Sequence, residues 1–421
     1  EILRCLVGSE MCIRDRDKSA IENALGISLP EVGATEAVLD FTSLLPQLMT
    51  NKGATVTSTI EVDVKANNRW ASEDATVNRV YTLKCNKPEF SIVTNPGNFW
   101  CKEFSVDSCD IKTGDIETIS QKIQYQYRKK GDEQWIDCDR LVQFDDYPVD
   151  KQYQIRAVYR EGIETEPVDV VLETPQQLPN SDMEEWYIEE KKKSGTWPSK
   201  DKTYYTFHPY AEGNASSSWW ATNNDKAQGG TYALGIWYEG CFASCVSYTE
   251  DAHGGTKAAL MYLSGCGDGY ANTAGTYVGG AMVGSLFIGT YDSGIIQGHD
   301  FDSRPTSMSF WYKYKPYNSD AFKVVVSLKN GDREIATGTY EPAASSEEDG
   351  EYGHATVDFN YTEPFEKATS ICVQFLASNK TSLSQSDFDL GTTITYPVIG
   401  DWTVHMGSIL KIDDIFLAFD K

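Results

Sequence analysis

The chain is 421 residues long, 40% hydrophobic and 12% aromatic, enough to bury a large core and to hold two or three domains. Its formal charge of −25 argues against nucleic acid as a partner, and acidity of this kind reads first as solubility at a crowded surface. No run of 18 apolar residues occurs, so the sequence predicts no transmembrane helix.

Residues 1–16 stand apart from the rest of the chain. The segment from Cys5 to Arg16, CLVGSEMCIRDR, has no periodicity, cap or turn logic that joins it to the next segment. It resembles the in-frame translation of a transposase adapter used in sequencing libraries, and is set aside from fold reasoning. On that reading the native start, with any signal peptide or lipoprotein cysteine, is missing from this sequence.

Residues 17–86 read as a small β-domain to which no function attaches. Residues 17–29 could form one short helix, with Asp17 or Ser19 as cap and Gly26 as stop. Strands are expected at 36–45, 54–65 and 79–85. In the second of these Val56, Ser58, Ile60, Val62 and Val64 share one face.

Pro88 opens the next unit, expected over 87–175. Ile123, Tyr125 and Tyr127 alternate, Lys129-Lys130-Gly131-Asp132 makes a hairpin turn, and Trp135 lies on the return strand. Tyr153, Ile155, Ala157 and Tyr159 alternate again. The pattern resembles a fibronectin type III or immunoglobulin-like sandwich with Trp135 and Tyr153 in its core. The alternative is that these aromatics meet a ligand.

The Pro- and Gln-rich TPQQLPN at 174–180 is a linker, and residues 176–421 read as one large domain. Strands are expected at 203–207, 232–238, 257–263, 281–291, 307–315, 322–329, 334–340, 353–361, 370–377 and 408–419. With Gly- and Asp-rich turns between them, the spacing predicts a jelly roll. Residues 345–351 and 381–389 read as polar loops.

Residues 284–316, GSLFIGTYDSGIIQGHDFDSRPTSMSFWYKYKP, are the most specific stretch in the chain. They are similar to the core of the carbohydrate-metabolism domain family, C-terminal jelly-roll modules on surface lipoproteins of gut Bacteroidota. The resemblance implies an all-β, multidomain protein ending in a galactose-binding-like jelly roll. It also implies export and a place at the cell surface or outer membrane. Exposed aromatics point to glycan binding without catalysis. The rival readings are a structural or adhesive module that contacts protein, and a carbohydrate-active hydrolase.

Few motifs carry chemistry. The five histidines show no metal-ligand spacing, and no G-x-S-x-G occurs. The glycines at Gly265, Gly267 and Gly269 precede no helix, so they make no phosphate cradle. Carboxylates abound, but a glycosidase needs two of them roughly 5–10 Å apart, which sequence does not show. No C-x-x-C pair occurs. Cys241 and Cys245 would lie roughly 13 Å apart in an extended segment, too far to bridge. The cysteines read as buried thiols, with one or two disulfides in an exported protein.

Three side-chain groups are the candidates. Sugars stack C–H faces on Trp and Tyr, and neighbours in a strand point to opposite faces. One member of each pair Trp219-Trp220, Trp237-Tyr238 and Trp311-Tyr312 is therefore expected to face solvent, unless all six pack. Arg304, in an acidic turn after Asp300 and Asp302, is expected to lock the crossover by bridging carboxylates or carbonyls. The third group is a structural Ca²⁺ site. Residues 178–186 and 410–417 resemble the ends of carbohydrate-binding jelly rolls, whose first and last strands lie side by side and often share calcium. Independently, one of Asp413 and Asp414 should face inward, which is costly unless the carboxylate is paired or metal-bound. Glu184, on the same face of an opening strand as Asp182, could complete a hard-oxygen site. The alternative is a solvated acidic edge.

Overall fold

The structure is a computed structural model. It describes residues 19, 22–23, 28, 56–66, 75–85, 88–114, 116–160, 163–197, 200–232, 237–267, 271–272, 279–342 and 350–421. Residues 1–16, most of the helix expected over 17–29, the strand at 36–45 and most of the loop at 345–351 lie outside the described residues. Two compact units divide the chain. One holds residues 1–94, 105–142 and 152–170; the other holds 95–104, 143–151 and 171–421. Among the described residues, no helix is long and apolar enough to cross a membrane.

The first unit is β-rich. Val56–Ala66 pairs antiparallel with Ala75–Cys85. Gln124–Lys129 lies between Gln152–Arg160 and Ile136–Cys138 in a second, antiparallel sheet. Gly131, at φ +100°, supplies the left-handed residue that its hairpin turn requires. Tyr153, Ile155 and Ala157 are buried on the inner face, as their alternation requires. Trp135 is not in that core. It is half-buried between the guanidinium groups of Arg128 and Arg156, which lie 4.3 and 4.2 Å from its ring centre. Those arginines come from the opposite face of the strands, where each bonds a glutamine of the neighbouring strand. The sheet therefore holds the indole by cation–π contact on its outer side.

The second unit is a jelly-roll sandwich. In one sheet the strands run Trp220–Thr222, Ser285–Tyr291, Ser370–Leu376, Lys323–Asn330, Arg333–Tyr340, Asn360–Tyr361. In the other they run Val246–Thr249, Ala258–Ser264, Gly400–Ala418, Ser307–Lys315, Gly353–Asp358, with Asp389–Tyr396 paired to the long strand. Met308, Phe310 and Tyr314 alternate inward from Ser307–Lys315 and meet Phe322, Val324 and Phe375 in one continuous core.

Three elements differ from the expected pattern. The strand expected at 281–291 breaks at Gly284, where a Cβ would lie 2.5 Å from the Tyr262 carbonyl oxygen. The closing strand starts at Gly400 rather than 408, because Asp389–Tyr396 folds back on it as a hairpin. Of the strand expected at 232–238, residues 233–236 lie outside the described residues; Thr231–Tyr232 is strand, and Glu239–Phe242 turns into a 3₁₀ helix that carries Cys241 out of any extended segment.

The opening segment runs beside the closing strand. The Gln177 side-chain amide mimics a ladder rung there, accepting from the Leu417 N–H at 2.8 Å and donating to the Leu417 carbonyl at 2.7 Å. Farther along, the Ile415 N–H donates to the Ser181 carbonyl at 2.8 Å.

Candidate functional site

One end of the sandwich carries a cleft of about 230 Å³ lined by Asn180, Glu185, Tyr210, Asn214, Ser218 and the Trp219-Trp220 pair, among others. Trp220 is paired with Ile288 across the sheet and points inward, 2% exposed, packed on Phe375. Its indole N–H donates to the Pro179 carbonyl at 2.8 Å and so fixes one wall of the cleft. Trp219, one residue earlier, is half-buried. The His299 ring stacks on it at 4.1 Å and 17°, and Phe301 meets it edge-on. His299 thus covers one face of the indole.

Asn180 ties segments of the cleft's lining together. Asn180 adopts φ +48°, which Asn tolerates. Its amide accepts from the Glu185 N–H at 2.9 Å and donates to the Glu185 and Pro209 carbonyls at 3.1 and 3.2 Å. Tyr210 continues an aromatic row with His208 and Tyr187, and burial pushes its phenol pKa up. Among the described residues the Glu185 carboxylate has no ion-pair partner, and neither Lys nor Arg lines the cleft.

The other aromatic pairs lie elsewhere in the sandwich. Trp311 points outward from its strand and is half-buried, with His253 stacked on it at 3.8 Å and 11° and His354 beside it. Tyr312 points the other way, against Phe310, Phe322 and Tyr340. Trp237 is half-buried and donates to the Lys200 carbonyl at 2.6 Å; Tyr238 packs on His405. The structure does not bring the three pairs together. Of the three, Trp219-Trp220 alone lines the cleft, and of these two only Trp219 is half-exposed to it.

Arg304 is buried, at 1% exposure. Its partner is not the nearby acidic turn but Glu173, whose Oε1 accepts from Nε at 2.8 Å. Nη1 donates to the Pro364 carbonyl at 2.7 Å and Nη2 to the Phe99 carbonyl at 3.2 Å. The guanidinium lies 3.7 Å from the centre of the Trp100 ring. Lys367 also reaches Glu173 Oε1, at 2.7 Å, and its pKa is lowered by burial, with the Glu173 charge opposing.

Three of the four acidic residues, Glu184, Asp413 and Asp414, meet on one turn, His253–Thr256, though not by the route the sequence suggests, while Asp182 stays exposed. Residues 180–184 form a turn rather than a strand, with positive φ at Asn180 and Met183, so Asp182 and Glu184 share no strand face. Glu184 accepts from the Thr256 and Lys257 N–H groups at 2.6 and 2.9 Å and from the Thr256 hydroxyl at 2.6 Å. Asp413 is fully buried. Its Oδ2 accepts from the His253 and Gly254 N–H groups at 2.7 and 3.1 Å, and its Oδ1 from Asp414 N–H at 2.9 Å. Burial raises its pKa and the neighbouring Asp414 adds to the rise, against the pull of these N–H groups. Asp414 sits at a kink, φ +46°, with its carboxylate 2.6 Å from His253 Nδ1. The buried carboxylate thus has the partners burial demands. As placed, no group of three or more His, Cys, Asp or Glu among the described residues could hold a metal ion.

Tyr210, Asn214 and Glu185 carry no signal in the sequence. They lie in turns, where alternation says nothing, and only the return of residues 209–218 against 179–185 makes them neighbours. Trp197, 92% exposed in the loop after Tyr187–Lys193, is another exposed aromatic that periodicity misses.

No family model matches the chain, and no curated protein does. Solved structures similar to it include the enzymatically active domain of tailspike protein 4 from bacteriophage CBA120, at 11% identity and TM-score 0.23, over 48% of this chain and 19% of the tailspike's. A second, from work on the promiscuous specificity of carbohydrate-binding modules of the β-sandwich superfamily, shows 8% identity and TM-score 0.24 over 79% of this chain and 98% of its own. A third, a CBM4 structure, shows 16% identity and TM-score 0.15 over 32% of this chain and 74% of its own. With scores this low, none of the three carries an argument about ligand or activity.

Proposed function

We propose that this is a glycan-binding protein whose C-terminal jelly roll holds carbohydrate in the Trp219 cleft. The observation that carries the reading is the one-sided Trp219 stack, which leaves an aromatic face beside Tyr210 and among amide, hydroxyl and carboxylate groups. That combination suits a sugar, which offers C–H faces to an indole and hydroxyls to polar groups. Among the described residues Glu185 is the one carboxylate lining the cleft, which supports binding over hydrolysis, since hydrolysis calls for a flanking pair. Export to the cell surface or outer membrane belongs to the same proposal and rests on the resemblance of residues 284–316. A glycan array probed with the whole chain tests it. Binding that is lost in Trp219→Ala supports the cleft; binding unchanged in that variant overturns it.

A structural calcium ion at the turn His253–Thr256 is the second part of the proposal. Its support is that Glu184, Asp413 and Asp414, hard-oxygen donors from the opening and closing segments, gather on one turn. The donors fit calcium in kind; in placement they now serve N–H groups, which an ion would have to displace. A melting temperature that rises with calcium and falls with chelator supports the ion, and one that moves with neither overturns it.

A further inference from the structure

We propose that the Trp219 cleft takes a single uncharged sugar ring at the end of a glycan chain, rather than the interior of a chain or an acidic sugar. This rests on the glycan-binding reading and narrows its ligand.

Three observations converge. The first is size and closure. At about 230 Å³ the cleft falls below the roughly 300–1,000 Å³ that drug-sized ligands occupy. Segments of its lining are held together by the Trp220-to-Pro179 and Asn180-to-Pro209 hydrogen bonds, which fix a space of that size. The second is that Trp219 has one face to give. His299 takes the other at 4.1 Å, which makes the indole a platform for one ring.

The third is charge. Glu185 presents a carboxylate, and among the described residues the lining supplies no Lys or Arg to meet an anionic ligand. A uronic, sialic or sulfated sugar would bring its negative charge against Glu185 within a chain of net charge −25, whereas a carboxylate accepts hydroxyl protons well. The Asn214 amide and Tyr210 hydroxyl add neutral donors and acceptors to the lining.

The test is an array of oligosaccharides that share an internal sequence and differ at the non-reducing end, probed with the whole chain. Binding should follow the terminal residue, fail for acid-capped members, and be competed by the free methyl glycoside of the bound terminus. Trp219→Ala should lower affinity about tenfold or more, Trp219→Phe less, and Glu185→Gln should admit acid-capped chains that the wild type rejects. Equal binding to chains with blocked or acidic ends would overturn the terminal-ring inference and leave glycan binding standing. Absence of binding to every glycan by the folded chain would overturn both.

Discussion

The crossover between Ser285–Tyr291 and Ser307–Lys315 makes two aromatic contacts with opposite consequences. At its middle His299 stacks on Trp219; near its end Arg304 stacks on Trp100. Around Arg304 the surroundings are closed: Glu173, three carbonyls and the Trp100 ring meet the guanidinium, and Trp100 itself is 5% exposed. Around Trp219 they are more open, with the half-buried indole in the lining of a cleft beside the exposed Glu185 side chain. Similar chemistry becomes a structural joint where the stacked group is buried and hydrogen-bonded, and a candidate surface where the stacked ring stays half-exposed.

Arg304→Ala should produce the largest effect. It leaves Glu173 buried with Lys367 as its remaining charged partner, and breaking a buried pair costs about 3–5 kcal/mol. Denaturant unfolding should show that loss. Glycan binding by the fraction still folded should persist, and its disappearance from a stable variant would turn the joint into part of the site. Next comes Trp219→Ala, where affinity should fall about tenfold while stability changes by less than about 1 kcal/mol. A stability loss larger than the binding loss would place Trp219 with the joint.

His299→Ala should have a smaller effect, a few-fold weakening, because it frees the indole to move without removing it. Titration calorimetry on this variant separates support of Trp219 from direct contact: a loss equal to that of Trp219→Ala would mean that His299 touches the ligand itself.

The smallest effect is a pH dependence at the joint. Burial lowers the Lys367 pKa below its ordinary 10.5, so the folded state holds that proton less tightly than the unfolded one. Its contribution to stability is therefore full above 10.5 and is lost as pH falls through the folded value. The difference between wild type and Lys367→Met, followed by thermal melts at alkaline pH, should show this slope. A slope of opposite sign would mean that Glu173 holds the ammonium more strongly than burial repels it.

Period-two alternation makes much of the fold legible. Spacing alone assigns Phe310, Tyr312 and Tyr314 to one side of their strand, and they meet the core there. The same rule places Tyr153, Ile155 and Ala157 correctly, then fails for Trp135, which begins no alternation and is caught from outside by two arginines. It fails again at 180–184, where positive φ at Asn180 and Met183 replaces a strand with a turn. Alternation reports which side of a sheet a residue occupies, not what lies above that side. Trp219, just before its strand, and Trp311 show the gap: both are half-buried, His299 stacked on the first and His253 on the second, and of the two only Trp219 lines the cleft.

The sequence by itself determined that this chain is all-β, that residues 307–315 form a core strand, and that a buried carboxylate near 413–414 must have partners. These are local or additive properties, set by side-chain period and by the cost of desolvating charge. The tertiary structure alone decided that Arg304 takes Glu173 rather than its own acidic turn, and that N–H groups of a distant turn meet Asp413. It also decided that the turns at 179–185 and 209–218 close a cleft around Trp219. Such partners lie far apart along the chain, and only packing of the two sheets and their loops brings them within hydrogen-bond reach, so no local pattern records them.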